Sequence, residues 1–423
     1  MLKTLRTNRI LIFKIGVFLI ASIYAFNCAK NGHDFEVFLD AGHKIINGLN
    51  IYRPPFAQNL NYYYSPLFAL LLAPFSSLPI IVPQIIWIFF SYFLMYRIWV
   101  LSTDYFAIST LTEKQKQWWL FLVVLFTLRF ILFDMRCVQM TTFLLWATLQ
   151  SMHWFRNGKN FSGAALLALA INIKLLPLAF LFYLFYRKKI KAGLLTCLLY
   201  GIYLYLPALF LGWEKNASLL KEWFSVINPV NKEWTIEAED GPSSLVALIP
   251  VYLTDTVGIL PYKRNFINLP IEQATLILNV VRAFFVLLTL LFLRSLPFKS
   301  ISNRLRQYWE MSYIFIAVPL IYPHQQLYAF LYIAPAFVYL SWFFVTNWTS
   351  IKLRMTIPMW IMLVIVGVIF TPIIGRDVIG SMPYQLLLYY RILPIATVLL
   401  IPVLWICRPD NLFETKKVEN ALQ

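Results

Sequence analysis

Ten mostly apolar stretches recur along the chain, near 10–27, 80–101, 117–135, 138–157, 194–212, 273–294, 309–322, 327–345, 355–374 and 384–407. Most approach the ~20 residues that a helix needs to cross hydrocarbon. No soluble core explains that much apolar sequence. Of 423 residues, 60% are hydrophobic and only 13% charged, against about 25% charged in soluble domains, which must clothe their surface. The mean hydropathy of +0.68 agrees. Soluble and disordered classes are excluded. The expectation is an all-α polytopic membrane protein, one domain over 1–423, with about ten transmembrane helices.

Two further apolar stretches resist simple crossing. Residues 65–75 are too short and are bracketed by Pro66, Pro74 and Pro79. Residues 162–186 are long enough, but Arg156 and Lys159 precede them and Arg187, Lys188, Lys189 and Lys191 follow. Basic residues at both ends place both on the cytoplasmic side, and Lys174 and Pro177 interrupt the middle. A re-entrant helical hairpin satisfies this pattern. With that hairpin, 21 of 36 Lys/Arg fall in cytoplasmic pieces and 10 in outer ones. Lys14, Arg129, Lys174, Arg282 and Arg391 remain inside spans. The net charge of +17 is thus positive-inside bias in a plasma (inner) membrane, with both termini cytoplasmic, and no nucleic-acid partner is called for. The apolar run 10–27 lacks a small-residue cleavage site and reads as a retained first helix. Cys28, Cys137, Cys197 and Cys407 are too scattered for a disulfide framework or zinc site, although one Cys28–Cys137 disulfide stays open.

Two outer loops stand out, 28–64 and 213–272. In the first, Phe35, Phe38, Leu39, Ile45 and Ile46 fall on one face of an amphipathic helix, suited to a membrane surface. Asp34 opens that helix at the N-cap position, and Gly48 follows its end. Asp34 has two readings at this point: an ordinary helix cap, or a carboxylate held at membrane height for chemistry. Glu36 and Asp40 project elsewhere. Outer aromatics such as Tyr52, Tyr62, Tyr63, Trp213, Trp223 and Trp234 suit an interfacial belt.

After Asp34 and Gly48 come Tyr52, then Tyr64-Ser65-Pro66 and an apolar run ending at Pro74-Phe75. Gln139 leads Met140-Thr141-Thr142 into a helix, with Val138 and Thr141 where a "GQ-x-N" start carries Gly and Asn. Residues 163–177 run from a small-residue helix to Lys174-Leu175-Leu176-Pro177, and Pro319 leads through Pro323 to His324. In this order and spacing the segments resemble glycosyltransferase family 87, of the C-type glycosyltransferase superfamily, over roughly 30–345. The resemblance implies a C-type fold and a hexosyltransferase, with mannose as the expected sugar. It also implies inverting transfer from a polyprenyl-phospho-sugar donor to a lipid or glycan acceptor on the extracytoplasmic side. Asp34 matches the family's presumed base. Lys174, His324, Arg53, Gln139 and Tyr64 become the donor-phosphate or substrate-binding candidates, with Arg136 and Arg391 as lesser ones; neither a metal nor a cofactor is implied.

Lys174 is the most informative of these. An ammonium in lipid costs about 2.5–3.5 kcal/mol on insertion scales, so it faces a cavity, a ligand or a carboxylate partner. His324 reads either as a hydrogen-bonded structural residue or as a group in the proton-transfer range. The rival class is a secondary transporter or lipid-linked-sugar flippase. Such folds carry broken helices in matching halves, and the broken segment 162–186 has no counterpart in the second half.

Overall fold

The computed structural model describes residues 2–30, 33–228, 241–256 and 258–410, with backbone alone for 2–14, 33, 349–350 and 352–354. Trp234, the rest of 229–240 in the second outer loop, and the tail beyond 410 lie outside the described residues, as does the side chain of Lys14. The described chain is helical without strands. Its N-terminal part comprises α1 (Leu2–Lys30), α2 (His33–Ile46), α3 (Pro66–Leu72), α4 (Ile81–Thr103), α5 (Glu113–Cys137) and α6 (Thr141–Arg156). There follow α7 (Asn160–Ile173), α8 (Leu178–Tyr186), α9 (Ile190–Tyr205), α10 (Ala208–Leu211), α11 (Trp213–Ile227), α12 (Leu245–Leu253) and α13 (Ile271–Leu293). The chain continues through α14 (Arg304–Ile321), α15 (Ala334–Arg354), α16 (Ile357–Phe370), α17 (Arg376–Ile379), α18 (Ser381–Tyr389) and α19 (Ile392–Ile406).

All ten apolar stretches fall on helices, yet helix length alone establishes fewer crossings. Among the described residues five helical segments are long and apolar enough to span: Ile81–Thr103, Glu113–Cys137, Ile190–Leu211, Ile271–Leu293 and Leu327–Trp348. The pair α18 and α19, bent by 63°, makes a sixth if counted as one span. The helices α6 and α16 hold 16 and 14 residues. At 1.5 Å per residue they reach about 24 and 21 Å, short of a ~30 Å hydrocarbon core.

The interrupted stretch is two helices. Lys174 adopts an extended conformation (φ −150°, ψ 135°) that ends α7, and Pro177 caps the start of α8. Proline has no N–H to donate and disfavours helical geometry in the residue before it, so the break belongs there. α7 packs between α6 and α9. After α8 the Lys189 ammonium donates to the Phe155 carbonyl at the end of α6 (3.3 Å). The chain therefore re-emerges at the end of the bundle where it entered α7.

That end is also where basic loops converge. Arg156 and Arg304 both reach Asp104, and Arg187 meets the fully buried Glu310 at 2.7 Å. Tyr183 (3.1 Å) and Arg306 (3.2 Å) donate to the same carboxylate. Arg294 pairs with Asp410. The pieces 97–116, 156–161, 187–193 and 294–310, together with 408–410, carry the positive charge that the sequence assigns to one side and are tied together in space.

At the opposite end α2 folds onto α3. Phe35, Phe38, Leu39 and Ile45 are buried as the pattern predicts, whereas Ile46 is 56% exposed. The buried face meets protein, with α3 and Ala73–Phe75 packed against it, and it does not lie open to lipid. Gly42 permits this contact: a β-carbon there would stand 3.0 Å from the Ala73 amide nitrogen. α2 ends in a Schellman motif, with the Leu49 amide bonded to the Lys44 carbonyl (2.9 Å) and Gly48 at φ +74°. All four cysteines are free, so the Cys28–Cys137 disulfide does not form.

Candidate active site

Asp34 is the second residue of α2, one position inside the N-cap place that the sequence pattern gave it. Its Oδ2 accepts a 2.6 Å hydrogen bond from the Gln139 amide Nε2, across 105 residues of chain. Gln139 leads from α5 into α6. Val138 turns the chain there in the left-handed region (φ 50°), which a β-branched residue enters only when its surroundings enforce it. This explains why Gly suits that motif position. The surroundings are explicit: Gln139 N–H bonds the Asp134 carbonyl (3.0 Å), and the Trp87 indole N–H holds the Gln139 carbonyl (3.0 Å).

Tyr64 completes this end. Its hydroxyl donates to Gln139 Oε1 at 3.0 Å. Burial, reinforced by the negative charges of Asp34 and Asp134, pushes that hydroxyl well above the usual phenol range, so it remains a donor. Next in sequence, Ser65 caps α3 by accepting from the Phe68 amide (3.2 Å) and donates to Asn172 Oδ1 (2.7 Å). With Pro66 at the first helical position, the Tyr-Ser-Pro motif is a helix start that also anchors the α7 terminus two residues before Lys174.

Lys174 points its ammonium at two aromatic faces, 5.6 Å from the centroids of both Tyr64 and Tyr328. Among the described residues no carboxylate lies within 4.0 Å of it. His324, at φ 56°, stacks on Tyr63 with ring centroids 5.1 Å apart. These side chains share one cavity of about 650 Å³, lined among others by Asp34, Tyr64, Gln139, Lys174, His324 and Tyr328. Residues separated by up to 294 positions in the chain thus form one polar hollow beside apolar walls from Phe38, Leu175 and Leu176.

A sequence profile of glycosyltransferase family 87 matches residues 62–298, more than half of the 423-residue chain. The chain belongs to glycosyltransferase family 87. No curated protein and no solved structure matches it significantly. As a family 87 chain with membrane-length helices it is a membrane glycosyltransferase, and the transporter or flippase reading falls away. The matched segment contains Tyr64, Gln139 and Lys174; Asp34 and His324 lie beyond its two ends and join them through the fold.

Other candidates of this family 87 chain are placed elsewhere. Arg53 is 70% exposed and pairs with Glu222 on α11 at 2.9 Å, outside the cavity lining. Arg136 and Arg391 do not line it either. Glu36 accepts from Gln58 (2.5 Å) and Asp40 from Lys44 (2.9 Å). No cluster of three or more metal-ligating side chains occurs among the described residues. Sequence reasoning passed over Asp134, buried at 1% exposure and held by the Thr142 hydroxyl (2.6 Å). An acid near the end of an apolar helix was the signal available. It gave Tyr328, four residues after His324, no role, and left Trp223, which lines the cavity, undistinguished among outer aromatics that mostly suit the interfacial belt.

Proposed function

We propose that this chain is an inverting hexosyltransferase that moves mannose from a polyprenyl-phosphate donor to a hydroxyl of a lipid or glycan acceptor. Asp34 is the general base. It takes the proton of the acceptor hydroxyl while the oxygen forms its bond to the anomeric carbon. The bond from that carbon to the phosphate oxygen breaks, and polyprenyl phosphate leaves with the electron pair. Lys174 faces that phosphate, and His324, on the lining of the same cavity, meets donor or departing oxygen. Inversion follows from a single displacement, in which the acceptor oxygen enters opposite the leaving phosphate.

The observation carrying this reading is Lys174: a cation on a cavity wall, braced by two rings, with no carboxylate within 4.0 Å among the described residues. An ammonium so placed is complementary to an anion. Asp34 on the same cavity supplies the complementary need, a proton acceptor. The topology that accompanies the reading has ten crossings, the 162–186 hairpin, cytoplasmic termini and an outward-facing cavity in the plasma membrane. The joined basic loops at the far end of the bundle support it.

The test is Asp34→Asn. The substituted amide keeps the size and can still accept from Gln139, but it cannot take a proton. Transfer from labelled polyprenyl-phosphate-mannose to alkyl mannosides and a membrane lipid extract should fall about 10²–10⁴-fold, with donor binding and thermal stability retained. A stable variant keeping more than roughly a tenth of wild-type turnover overturns Asp34 as base.

A further inference from the structure

Gln139 entered as a substrate-binding candidate, yet both ends of its amide are engaged by protein. The carbonyl oxygen Oε1 accepts from the Tyr64 hydroxyl at 3.0 Å and from the Met140 amide at 3.3 Å. Two donors on one oxygen decide which way an amide faces. The NH₂ group must then point to Asp34, where Nε2 lies 2.6 Å from Oδ2. The side chain is only 4% exposed, and Trp87 and the left-handed Val138 immobilise its backbone. Tyr64, 5% exposed, faces both ways: its hydroxyl fixes Gln139 and its ring lies 5.6 Å from the Lys174 ammonium.

We propose that Gln139 and Tyr64 are positioning residues: the Gln139 amide aims the Asp34 carboxylate, the Tyr64 hydroxyl fixes that amide, and the Tyr64 ring braces Lys174. This rests on Asp34 as the base. The charge-assisted bond on Oδ2 restrains rotation of the Asp34 carboxylate and so sets the direction that its oxygens present. Reaction geometry tolerates little error, and an orientation lost far from the bond being made costs rate without costing ground-state affinity. Tyr64 thereby connects the base side of the cavity to its cationic side through one rigid ring, and its two contacts can be removed separately.

Three variants separate the contacts. Tyr64→Phe removes the hydroxyl and keeps the ring, so kcat should fall about tenfold or more while the donor KM is unchanged. Tyr64→Leu removes both, so kcat should fall and the donor KM should rise. Gln139→Glu keeps shape and the oxygen that meets Tyr64 but offers Asp34 no obligatory N–H, so kcat should fall about 10–100-fold at unchanged donor KM. Thermal midpoints in detergent accompany each measurement, and Asp34→Asn is run beside them. If Asp34→Asn is inactive while Tyr64→Phe and Gln139→Glu keep kcat within about twofold, positioning is wrong and the base stands. If Asp34→Asn is active, the base reading itself fails. A rise in donor KM at unchanged kcat for Gln139→Glu would make Gln139 a donor contact and overturn the proposal.

Discussion

Replacing Lys174 by Met removes one charge and keeps the stem, and the structure gives the sign of both consequences. Among the described residues no carboxylate within 4.0 Å would be orphaned. What the fold loses is two cation–π contacts, about 0.5–2 kcal/mol each. What it gains is release from holding an ammonium at membrane depth, about 2.5–3.5 kcal/mol. The two nearly cancel, so the thermal midpoint should stay the same or rise slightly. The donor loses more. A phosphate 4 Å from an ammonium at an effective dielectric of 20 is attracted by about 4 kcal/mol. After desolvation, a hydrogen bond to a charged group nets about 1.5–3 kcal/mol. At 1.36 kcal/mol per decade, affinity for polyprenyl-phosphate-mannose should weaken about 10- to 150-fold. The assay is transfer at varied donor concentration, paired with melting in detergent. Most of the loss should appear in the donor KM, because the phosphate is charged before and after transfer. An unchanged donor KM would refute the phosphate role. A stability loss of about 3–5 kcal/mol would instead mark Lys174 as one half of a buried ion pair.

Glu310→Gln should be the opposite case. Arg187, 5% exposed, would keep its charge and lose its counter-ion, costing about 3–5 kcal/mol, visible as a large drop in the detergent melting midpoint. An unchanged midpoint would mean that this pair does not hold the hairpin. Gly158→Cys and Ile190→Cys should both react with a membrane-impermeant thiol reagent from the same side, because Lys189 bonds the Phe155 carbonyl at 3.3 Å. Labelling from opposite sides would exclude a re-entrant α7–α8 pair.

Helix identity was legible along the chain because it is a local property. The ten apolar stretches fall on helices, some of them broken into two, and the period-3.6 pattern in α2 marked Phe35, Phe38, Leu39 and Ile45 correctly as one buried face. Ile46, the last residue of α2, was misjudged: it shares the apolar pattern but stands 56% exposed. Lys174 was singled out by its chemistry, since an ammonium at membrane depth is expensive enough to need a reason; Asp34 and His324 were drawn in by the resemblance to family 87, and the fold brings all three to one cavity. Arg53 carried the same charge at a plausible spacing, and only its pairing with Glu222, 169 residues away, removed it from the cavity.

Composition and apolar length determined that this chain is helical and membrane-embedded, since both follow from what a segment can do with its own backbone hydrogen bonds in lipid. The break at Lys174 and Pro177 was equally local, a consequence of a missing N–H. The extent of burial was not. Ile190–Leu211 and Leu327–Trp348 are both long and apolar enough to span, yet the first is mostly exposed and the second mostly buried within the protein. Which helix faces lipid and which faces its neighbours depends on packing partners that no single stretch encodes. The same holds for the site: Gln139 reads as a polar residue at a helix start until Tyr64 and Asp34, 75 and 105 residues away, settle which way its amide points.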